Sequence, residues 1–333
     1  MNALVQAQVV LPAALALLVS LLSPAAWLPV LRRWGAVDEP SSRSSHTVAT
    51  VRGVGLGPAS GVVVAALASA VRHGASSPVT LTLFGIALAA ALLGLLEDVH
   101  GMPVPTRFTL QLGLGVVTGL ALVTVVDLPL WSVVLVALCF TGYVNAANFM
   151  DGIDGISLGH GLACGAYFSL VGSRSGLDSL VLCGLVLAAA YLGFAPWNLG
   201  RSRVFLGDCG SYLLGAGVVL LAVVAVAGGL PLLVAVAPLL PYLADTGLTL
   251  ARRAVRGERV WQPHRSHTYQ RLVRQGLSHV TVAAVVTLVA ALCGVLAWWG
   301  DGDVTAWAGC AAVLALYLAS PALLLRTRSG VVA

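Results

Sequence analysis

The feature that most constrains this chain is a series of apolar runs, each long enough to cross a bilayer as a helix. A transmembrane helix needs about 20 predominantly apolar residues. On that scale we predict eleven spans, with ten as the alternative because the loops near Asp127 and Gly229 are very short. The predicted spans are 4–31, 53–72, 79–96, 107–126, 128–147, 156–173, 178–197, 206–228, 231–251, 279–299 and 304–325. Because 59% of the 333 residues are apolar and only 9% are charged, a soluble domain is excluded. We therefore predict an all-α, polytopic membrane helix bundle that forms one domain over residues 1–333.

The distribution of arginine predicts how the bundle is oriented. The chain contains no lysine, so all 18 positive charges are arginines. If the N-terminus lies outside and the C-terminus is cytoplasmic, only Arg72 and Arg174 fall outside and the other 16 of the 18 are cytoplasmic. This asymmetry follows the positive-inside rule. The long polar loops 32–52, 97–106, 148–155, 198–205 and 252–278 then share the cytoplasmic face, which indicates an enzyme or binding site there.

Composition also excludes several other classes of protein. The net charge of +5 is carried by no soluble basic domain, so a nucleic-acid partner is not predicted. The six cysteines are scattered and show no CxxC spacing, which argues against a disulfide framework or a zinc site. The first apolar run is too long for the core of a signal peptide, and we interpret it as a retained first span.

The most polar stretch within the apolar sequence is NAANFMDGIDG, from Asn145 to Gly155. It contains the acids Asp151 and Asp154 and the amides Asn145 and Asn148, and ionisable groups at the edge of a bilayer are usually functional. On a continuous helix these four side chains would not converge, so we expect the helix to end or kink at the glycines. The alternative is a polar interfacial loop that caps two helices.

Other acids occur at or near predicted helix ends. Glu97 and Asp98 lie at the C-terminal end of a span, where acids are unfavourable unless a cation or an arginine offsets them. Asp208 precedes a span, where it could cap the helix or face a ligand. Asp245 lies inside the ninth span and needs a partner, either Arg252 or a neighbour at a metal site, so we interpret it as a supporting residue.

Two loops on the predicted cytoplasmic face carry cationic and hydroxyl groups suited to phosphate. The first contains Arg43 and His46 beside several serines, and the last contains His264, Arg265 and His267. Arginine and imidazole groups bind phosphate oxygens well. The alternative is a solvated basic surface that contacts lipid headgroups.

Taken together, these groups indicate phosphoryl transfer. The carboxylates suit a hard cation with oxygen ligands, most naturally Mg²⁺ with Mn²⁺ as an alternative, and the arginines and histidines suit phosphates. The sequence contains no Walker loop, GxSxG or HExxH motif, and the lack of HExxH argues against an intramembrane metalloprotease. The rival hypothesis is a transporter of an anionic or lipid-linked substrate, which would place ionisable groups near the bilayer centre.

Four motifs in order, GLLEDVHG, NAANFMDGIDG, FLGDCGSYLLG and PHRSHTYQRL, resemble those of the polyprenyl-phosphate N-acetylhexosamine-1-phosphate transferases, glycosyl transferase family 4. The first loop, with DEPSSRSSH, also fits this family. The resemblance implies transfer of a sugar-1-phosphate from a UDP-sugar to polyprenyl (undecaprenyl) phosphate, with release of UMP. The reaction would occur at the cytoplasmic face of a bacterial inner membrane and initiate a cell-surface glycan. A homodimer is compatible with the sequence, which leaves the oligomeric state open.

The resemblance also implies roles for individual residues. Asp154 and Asp208 match the positions that hold Mg²⁺, and Asn148 and Asp151 match residues that line the nucleotide region. We assign Asn145 to substrate binding with them, and Arg43 and His46 to substrate phosphate.

The remaining matches concern catalysis. Glu97 and Asp98 match a pair that is usually Asp-Asp, so the glutamate makes Asp98 the better candidate, either to activate the lipid phosphate or to orient it. His264, Arg265 and His267 match the histidine-rich loop on the pyrophosphate and sugar side. Because this loop reads HRSH and not a triple histidine, it is more similar to the branch that initiates O-antigen and common-antigen synthesis, whose donors are N-acetylated hexosamines or their deoxy forms.

Overall fold

The computed structural model describes residues 3–38, 50–73, 77–199, 204–262 and 264–330. These residues are predominantly helical. The helices are α1 Ala3–Arg33, α2 Leu56–His73, α3 Pro78–His100, α4 Val104–Val125, α5 Ser132–Met150, α6 Ile156–Ser175, α7 Asp178–Gly193, α8 Ala195–Asn198, α9 Gly207–Ala227, α10 Leu232–Val236, α11 Leu240–Val255, α12 Thr268–Arg274, α13 His279–Trp299 and α14 Val304–Gly330.

The predicted spans correspond to helices along the whole chain. The ninth span is divided, because α10 and α11 are separated by a 3₁₀ turn at Ala237–Leu239 that contains Pro238. Proline lacks the amide hydrogen that a continuous α-helix would use at this point. The prediction of an all-α, polytopic membrane protein is confirmed, whereas the number of crossings and the orientation stay predictions.

Length and apolar composition separate two groups of helices. Within the described ranges, eight helical segments are long and apolar enough to cross a membrane. They are Gln8–Arg33, Pro78–His100, Val104–Val125, Ser132–Met150, Gly207–Ala227, Leu232–Val255, His279–Trp299 and Val304–Arg326. The apolar parts of α2 and α7, Leu56–Val71 and Asp178–Gly193, are shorter.

Helix α9 lies at the centre of the bundle. In the most apolar stretch of α9, 83% of the residues are buried, whereas in that of α14 only 17% are. α9 packs against α3 and α5 on two sides and against α2, α6 and α7 on others. Because α9 is apolar around its whole circumference and protein surrounds it, it forms the axis on which the polar helix ends are arranged.

Backbone contact between α3 and α9 is unusually close. A Cβ atom added at Gly94 would overlap the carbonyl group of Asp208 and the amide nitrogen of Cys209. Glycine at this position therefore lets the end of α3, with its two acids, lie directly against the beginning of α9.

A small sheet joins the first polar loop to the beginning of α9. Strand β1, Val37–Asp38, pairs antiparallel with β2, Thr50–Val51, in the register Val37 to Val51. Val51 also forms a parallel bridge with Val204, and its carbonyl accepts a hydrogen bond from the amide of Phe205 at 2.8 Å. The sequence analysis did not predict these strands, which are too short to produce a recognisable alternation.

Candidate active site

Four polar segments meet at one end of the bundle. They are the C-terminal end of α3, the loop between α5 and α6, the N-terminal end of α9 and the loop before α12. Direct side-chain contacts connect them, as described below. The sequence placed these segments on one face, and the structure brings residues from all four into one connected network. Arg43 and His46 lie outside the described residues, so their predicted role stays a prediction.

Asp98 holds the first turn of α9. Its carboxylate oxygens accept hydrogen bonds from the amides of Asp208 at 3.0 Å and Cys209 at 2.9 Å, and the residue is 2% exposed. A carboxylate is favourable at a helix N-terminus because the amides there are unpaired and the helix dipole is positive. In the structure, Asp98 therefore caps α9. One interpretation of the sequence had assigned this cap to Asp208. The catalytic role of Asp98 stays a prediction.

Glu97 faces Arg107 of α4. One oxygen of Glu97 lies 3.0 Å from Nη1 of Arg107, and the other accepts the amide hydrogen of Met102 at 2.7 Å. The same Nη1 atom lies 4.0 Å from Oδ2 of Asp208. The expectation that an arginine offsets the acids at the end of α3 is confirmed. Sequence reasoning did not single out Arg107, although its place at the start of the next helix was a usable signal.

The side chains of Asn148 and Asp208 join α5 to α9. Nδ2 of Asn148 donates to Oδ1 of Asp208 at 2.7 Å and to Oγ of Ser211 at 3.1 Å. Asp208 therefore has one oxygen bonded to an amide and the other turned towards Arg107. Residues from two of the four sequence motifs meet in this contact.

The polar stretch after α5 breaks the helix as the sequence predicts. Helix α5 ends at Met150, and Gly155 has a left-handed backbone with φ of 87°. The amide of Gly155 donates to Oδ1 of Asn198 at 2.8 Å. Asn145 lies before this change of direction, inside α5, and its amide group donates to Gln111 of α4. The structure therefore does not bring Asn145 into contact with the acids.

Asp151 follows the last residue of α5 and is bonded to α6. Its Oδ1 atom accepts a hydrogen bond from the hydroxyl of Ser157 at 2.6 Å. Burial among protein atoms and the charges of Asp208 and Asp154 outweigh the opposing effect of the Ser157 bond, and the pKa of Asp151 is raised to about 7. Asp208 and Asp154 therefore both repel a negative charge on Asp151. A cation there would relieve the repulsion.

His279 of α13 contacts Asp154, a position that sequence reasoning missed. Its Nδ1 atom lies 3.0 Å from Oδ2 of Asp154, and the amide of Asp154 lies 3.5 Å from the same nitrogen. The side chain of Asp154 is 46% exposed and so remains accessible to a ligand. His279 is the first residue of an apolar helix, and its place at the edge of a span was the available signal.

Asp151, Asp154 and Asp208 are acids of the kind that bind magnesium. Carboxylate and amide oxygens are the donors that Mg²⁺ prefers, and it is usually held by one or two carboxylates together with substrate phosphates and water. Among the residues described, no three Asp, Glu, His or Cys side chains lie close enough together to form a metal site by themselves. A magnesium ion held by Asp154 and Asp208 stays a prediction.

The last loop contributes imidazoles that differ in exposure. His267 is 2% exposed and precedes α12, whereas His264 is partly exposed and lies 4.9 Å from it between ring centroids. Burial, with smaller effects of the neighbouring His267 and Arg253, lowers the pKa of His264 to about 4. His264 is therefore neutral at neutral pH, so it can exchange hydrogen bonds with a phosphate but does not supply the positive charge that the sequence suggested. The side chain of Arg265 is exposed and so remains accessible to a phosphate.

Helix α12 is attached to the acidic loop through Tyr269. The hydroxyl of Tyr269 donates to the carbonyl oxygen of Phe149 at 3.0 Å. A Cβ atom at Gly152 would overlap that hydroxyl, so glycine is required for the approach. This contact places the histidine loop beside the stretch that carries Asp151 and Asp154.

Arg252 as the partner of Asp245 was wrong, whereas a supporting role for Asp245 stays a prediction. The sequence suggested Arg252 or a neighbour at a metal site, but the carboxylate of Asp245 accepts hydrogen bonds from the beginning of α12 and from Tyr317 of α14. Arg252 lies in the same helix as Asp245, whereas the actual partners come from the beginning of α12 and from α14.

Comparison with known proteins agrees with the motifs. The profile of glycosyl transferase family 4 matches residues 80–227, which contain three of the four motifs. The chain is 31% identical over 295 residues to the probable undecaprenyl-phosphate N-acetylglucosaminyl 1-phosphate transferase of Bacillus subtilis, covering 82% of this chain and 81% of that protein. It is also 31% identical over 310 residues to the decaprenyl-phosphate N-acetylglucosaminephosphotransferase of Mycolicibacterium smegmatis, covering 79% and 75% of the two chains.

A similarity over a shorter part of the chain is to a phospho-N-acetylmuramoyl-pentapeptide-transferase. The phospho-N-acetylmuramoyl-pentapeptide-transferase of Moorella thermoacetica is 31% identical over 170 residues, covering 44% of this chain and 54% of that protein. The four ordered motifs, the helical bundle and the extent of the similarity to the Bacillus protein lead to one conclusion: this chain belongs to glycosyl transferase family 4, the polyprenyl-phosphate N-acetylhexosamine-1-phosphate transferases.

Proposed function

We propose that this protein transfers an N-acetylhexosamine-1-phosphate, GlcNAc-like in structure, from a UDP-sugar to a polyprenyl phosphate and releases UMP. The observation that carries the proposal is the meeting of Asn148, Asp208 and Arg107, which come from three different helices, beside Asp151. Acids that bind a divalent cation and an arginine that binds phosphate are the parts that phosphoryl transfer requires. The names of the relatives in Bacillus and Mycolicibacterium support the same reaction class.

The proposed reaction is a displacement at phosphorus. An oxygen of the polyprenyl phosphate forms a bond to the β-phosphorus of the UDP-sugar, the bond from that phosphorus to the bridging oxygen breaks, and UMP leaves with the electron pair. A bound magnesium ion would neutralise charge on the diphosphate, and Asp154 and Asp208 are the residues we assign to hold it. Because Asn148 and Arg107 contact Asp208, they fix the position of its carboxylate.

The other residues act by orientation and charge. Arg265, which is exposed beside the imidazoles, is placed to neutralise phosphoryl oxygens. His264 is neutral and orients phosphate by hydrogen bonds. Asp98 keeps the first turn of α9 in place and thereby positions Asp208. A carboxylate has about four acceptor positions and the two amides occupy two of them, so Asp98 could also face the lipid phosphate while it holds α9.

The sugar and the membrane face are part of the proposal. Both of the closer relatives described above are named for N-acetylglucosamine, so UDP-GlcNAc is the first donor to test. A role in starting O-antigen or a related surface glycan rests on the HRSH loop alone. The arginine distribution and the clustering of the polar loops support an active site at the cytoplasmic face of a bacterial inner membrane.

A transfer assay tests the proposal directly. Membranes that contain the protein are incubated with radiolabelled UDP-GlcNAc and undecaprenyl phosphate, with Mg²⁺ or with EDTA, and the lipids are extracted while UMP is measured. We expect label in the lipid fraction and an equal amount of UMP, both only with the metal ion. Asp208→Asn should remove nearly all turnover, because the amide lacks the charge that binds the cation.

Asp178→Asn is the matched control, since this exposed acid at the beginning of α7 takes no part in the network. Equal loss in both variants would count against the assignment of Asp208. If a panel of UDP-sugars fails to label lipid in the presence of folded wild-type protein, the proposed transfer is wrong and a transporter becomes the better hypothesis.

A further inference from the structure

A buried acid behind the histidine loop joins three helices. Asp245 of α11 is fully buried, with 0% of its surface exposed. Its Oδ1 atom accepts the amide hydrogen of Thr268 at 2.8 Å, and its Oδ2 atom accepts that of Tyr269 at 3.3 Å. The hydroxyl of Tyr317 in α14 donates to Oδ2 at 2.8 Å. Burying a carboxylate is unfavourable unless it accepts hydrogen bonds, and these three donors compensate for the burial of Asp245.

The same carboxylate lies beside an imidazole of the proposed active site. Nδ1 of His267 lies 3.5 Å from Oδ1 of Asp245, and His267 directly precedes α12. This approach does not have the geometry of a hydrogen bond, and Nδ1 of His267 is buried without a hydrogen-bond partner among the described residues. Asp245 therefore holds the beginning of α12 through the two backbone amides and places a negative charge next to the ring of His267.

The last helix supports α12 at its other end as well. Pro321 interrupts α14, and because proline has no amide hydrogen the carbonyl oxygen of Tyr317 lacks its helical partner. The hydroxyl of Ser320 donates to that oxygen at 2.6 Å. The carbonyl oxygen of Pro321 accepts a hydrogen bond from Nε2 of Gln275, just after α12, at 2.9 Å. The segment from Tyr317 to Pro321 thus contacts the C-terminal end of α12 directly and reaches its N-terminal end through Asp245.

We propose that Asp245 and Tyr317 are positioning residues for the transfer reaction, and that α14 acts as the support that sets the histidine loop against the acidic loop. The path of contacts runs from Tyr317 to Asp245, then to the amide and side chain of Tyr269, and finally to the carbonyl of Phe149. This inference rests on the function proposed above and assigns to it two residues that touch no substrate. It also gives a catalytic purpose to α14, which lies outside the stretch matched by the family profile.

The mildest test removes one oxygen atom, in Tyr317→Phe. The ring remains, so packing is retained, but Asp245 loses a donor and the loop before α12 is held less firmly. We expect kcat to fall about tenfold, because small displacements of catalytic groups have large effects on rate. The KM for UDP-GlcNAc should stay within about twofold. Tm should fall by no more than about 5 °C, because Oδ2 of Asp245 keeps the amide of Tyr269, so an assay well below that Tm excludes loss of folding as the cause of a lower kcat.

Tyr167→Phe is the matched control. Tyr167 in α6 also donates its hydroxyl to a buried acceptor, the carbonyl oxygen of Val234 at 2.6 Å, but it does not contact Asp245 or α12. This variant should keep the wild-type kcat. Hydrogen–deuterium exchange supplies a second measurement, since the amides of Thr268 and Tyr269 should exchange slowly in the wild type and faster in Tyr317→Phe.

The outcomes separate this inference from the proposed function. If the wild type transfers sugar phosphate but Tyr317→Phe has the same kcat, or if Tyr167→Phe loses as much, the positioning role is wrong. Fast exchange of the Thr268 and Tyr269 amides in the wild type overturns the inference even if the variant is too unstable to assay. If the wild type labels no lipid with any UDP-sugar, it is the proposed function that fails.

Discussion

Replacing Asp98 by asparagine should destabilise the bundle more than it would if Asp98 acted only as a catalytic base. The carboxylate offers two acceptor oxygens to the amides of Asp208 and Cys209. Asparagine offers one oxygen and places an NH₂ group against the second amide, so that one buried donor loses its partner. The substitution also removes a negative charge from the N-terminal end of α9.

The magnitude follows from these two effects. A buried amide left without an acceptor costs about 1–3 kcal/mol. Loss of a charge at a helix N-terminus costs roughly 0.3–1 kcal/mol. Together they predict a loss of about 1–4 kcal/mol in the free energy of unfolding, since Asp98 is 2% exposed and water cannot replace the missing bond. For a protein of this size the loss corresponds to a decrease of roughly 5 °C in Tm.

The assay compares two variants with the same chemical change in detergent-solubilised protein. Thermal unfolding is followed by tryptophan fluorescence for the wild type, Asp98→Asn and Asp208→Asn. Asp208→Asn should change Tm by less than about 2 °C, because an amide oxygen still accepts the hydrogen bond from Asn148 and the cluster loses some of its repulsion. A wild-type Tm for Asp98→Asn, or a larger decrease for Asp208→Asn, would refute the assignment of the cap.

Three further predictions concern the other parts of the site. Gly152→Ala should lower both Tm and turnover, because its methyl group would displace the hydroxyl of Tyr269, whereas Gly142→Ala in the open face of α5 should be neutral or slightly stabilising. Arg107→Met should raise the concentration of Mg²⁺ or UDP-sugar needed for half-maximal turnover. Arg107→Lys should raise that concentration less, because lysine keeps the positive charge. No change in either variant would contradict a role for this arginine.

The third concerns pH and His264. Burial lowers the pKa of His264 to about 4, below the usual value of about 6.5. The unfolded chain therefore binds a proton at a higher pH than the folded protein does. As pH falls from about 6.5 to about 4, the folded state loses the stability that the neutral ring contributes. The decrease in Tm between pH 7 and pH 5 should therefore be smaller in His264→Asn than in the wild type, and an equal or larger decrease would contradict the assignment.

The helical architecture could be predicted because a bilayer requires long apolar runs, and these are visible without any knowledge of packing. The end of α5 at Met150 could be predicted for a similar reason, since glycines and acids follow it directly. The break near Pro238 could have been predicted from the proline itself. The site residues that come from the motifs were recognised because each motif is local in the sequence.

What could not be predicted depends on contacts between distant residues. Asp98 caps a helix 110 residues further along the chain, and Asp245 receives a hydrogen bond from Tyr317, 72 residues away. The meeting of His279 with Asp154 depends on how α13 packs against α6. The periodicity of apolar residues does not predict such pairs, because it indicates which face of a helix is buried and not which helix packs against that face.

The close backbone contact at Gly94 has a mechanical consequence. Because α3 and α9 meet there without intervening side chains, the acids they carry form a rigid reference frame whose internal distances are set by the backbone. Adaptation to different sugars then falls to the loop after α5 and the loop before α12, which do not belong to this helix pair and meet through the hydrogen bond from Tyr269 to Phe149. Donor preference in this chain should consequently be altered by exchanging those two loops while the helix pair is left intact.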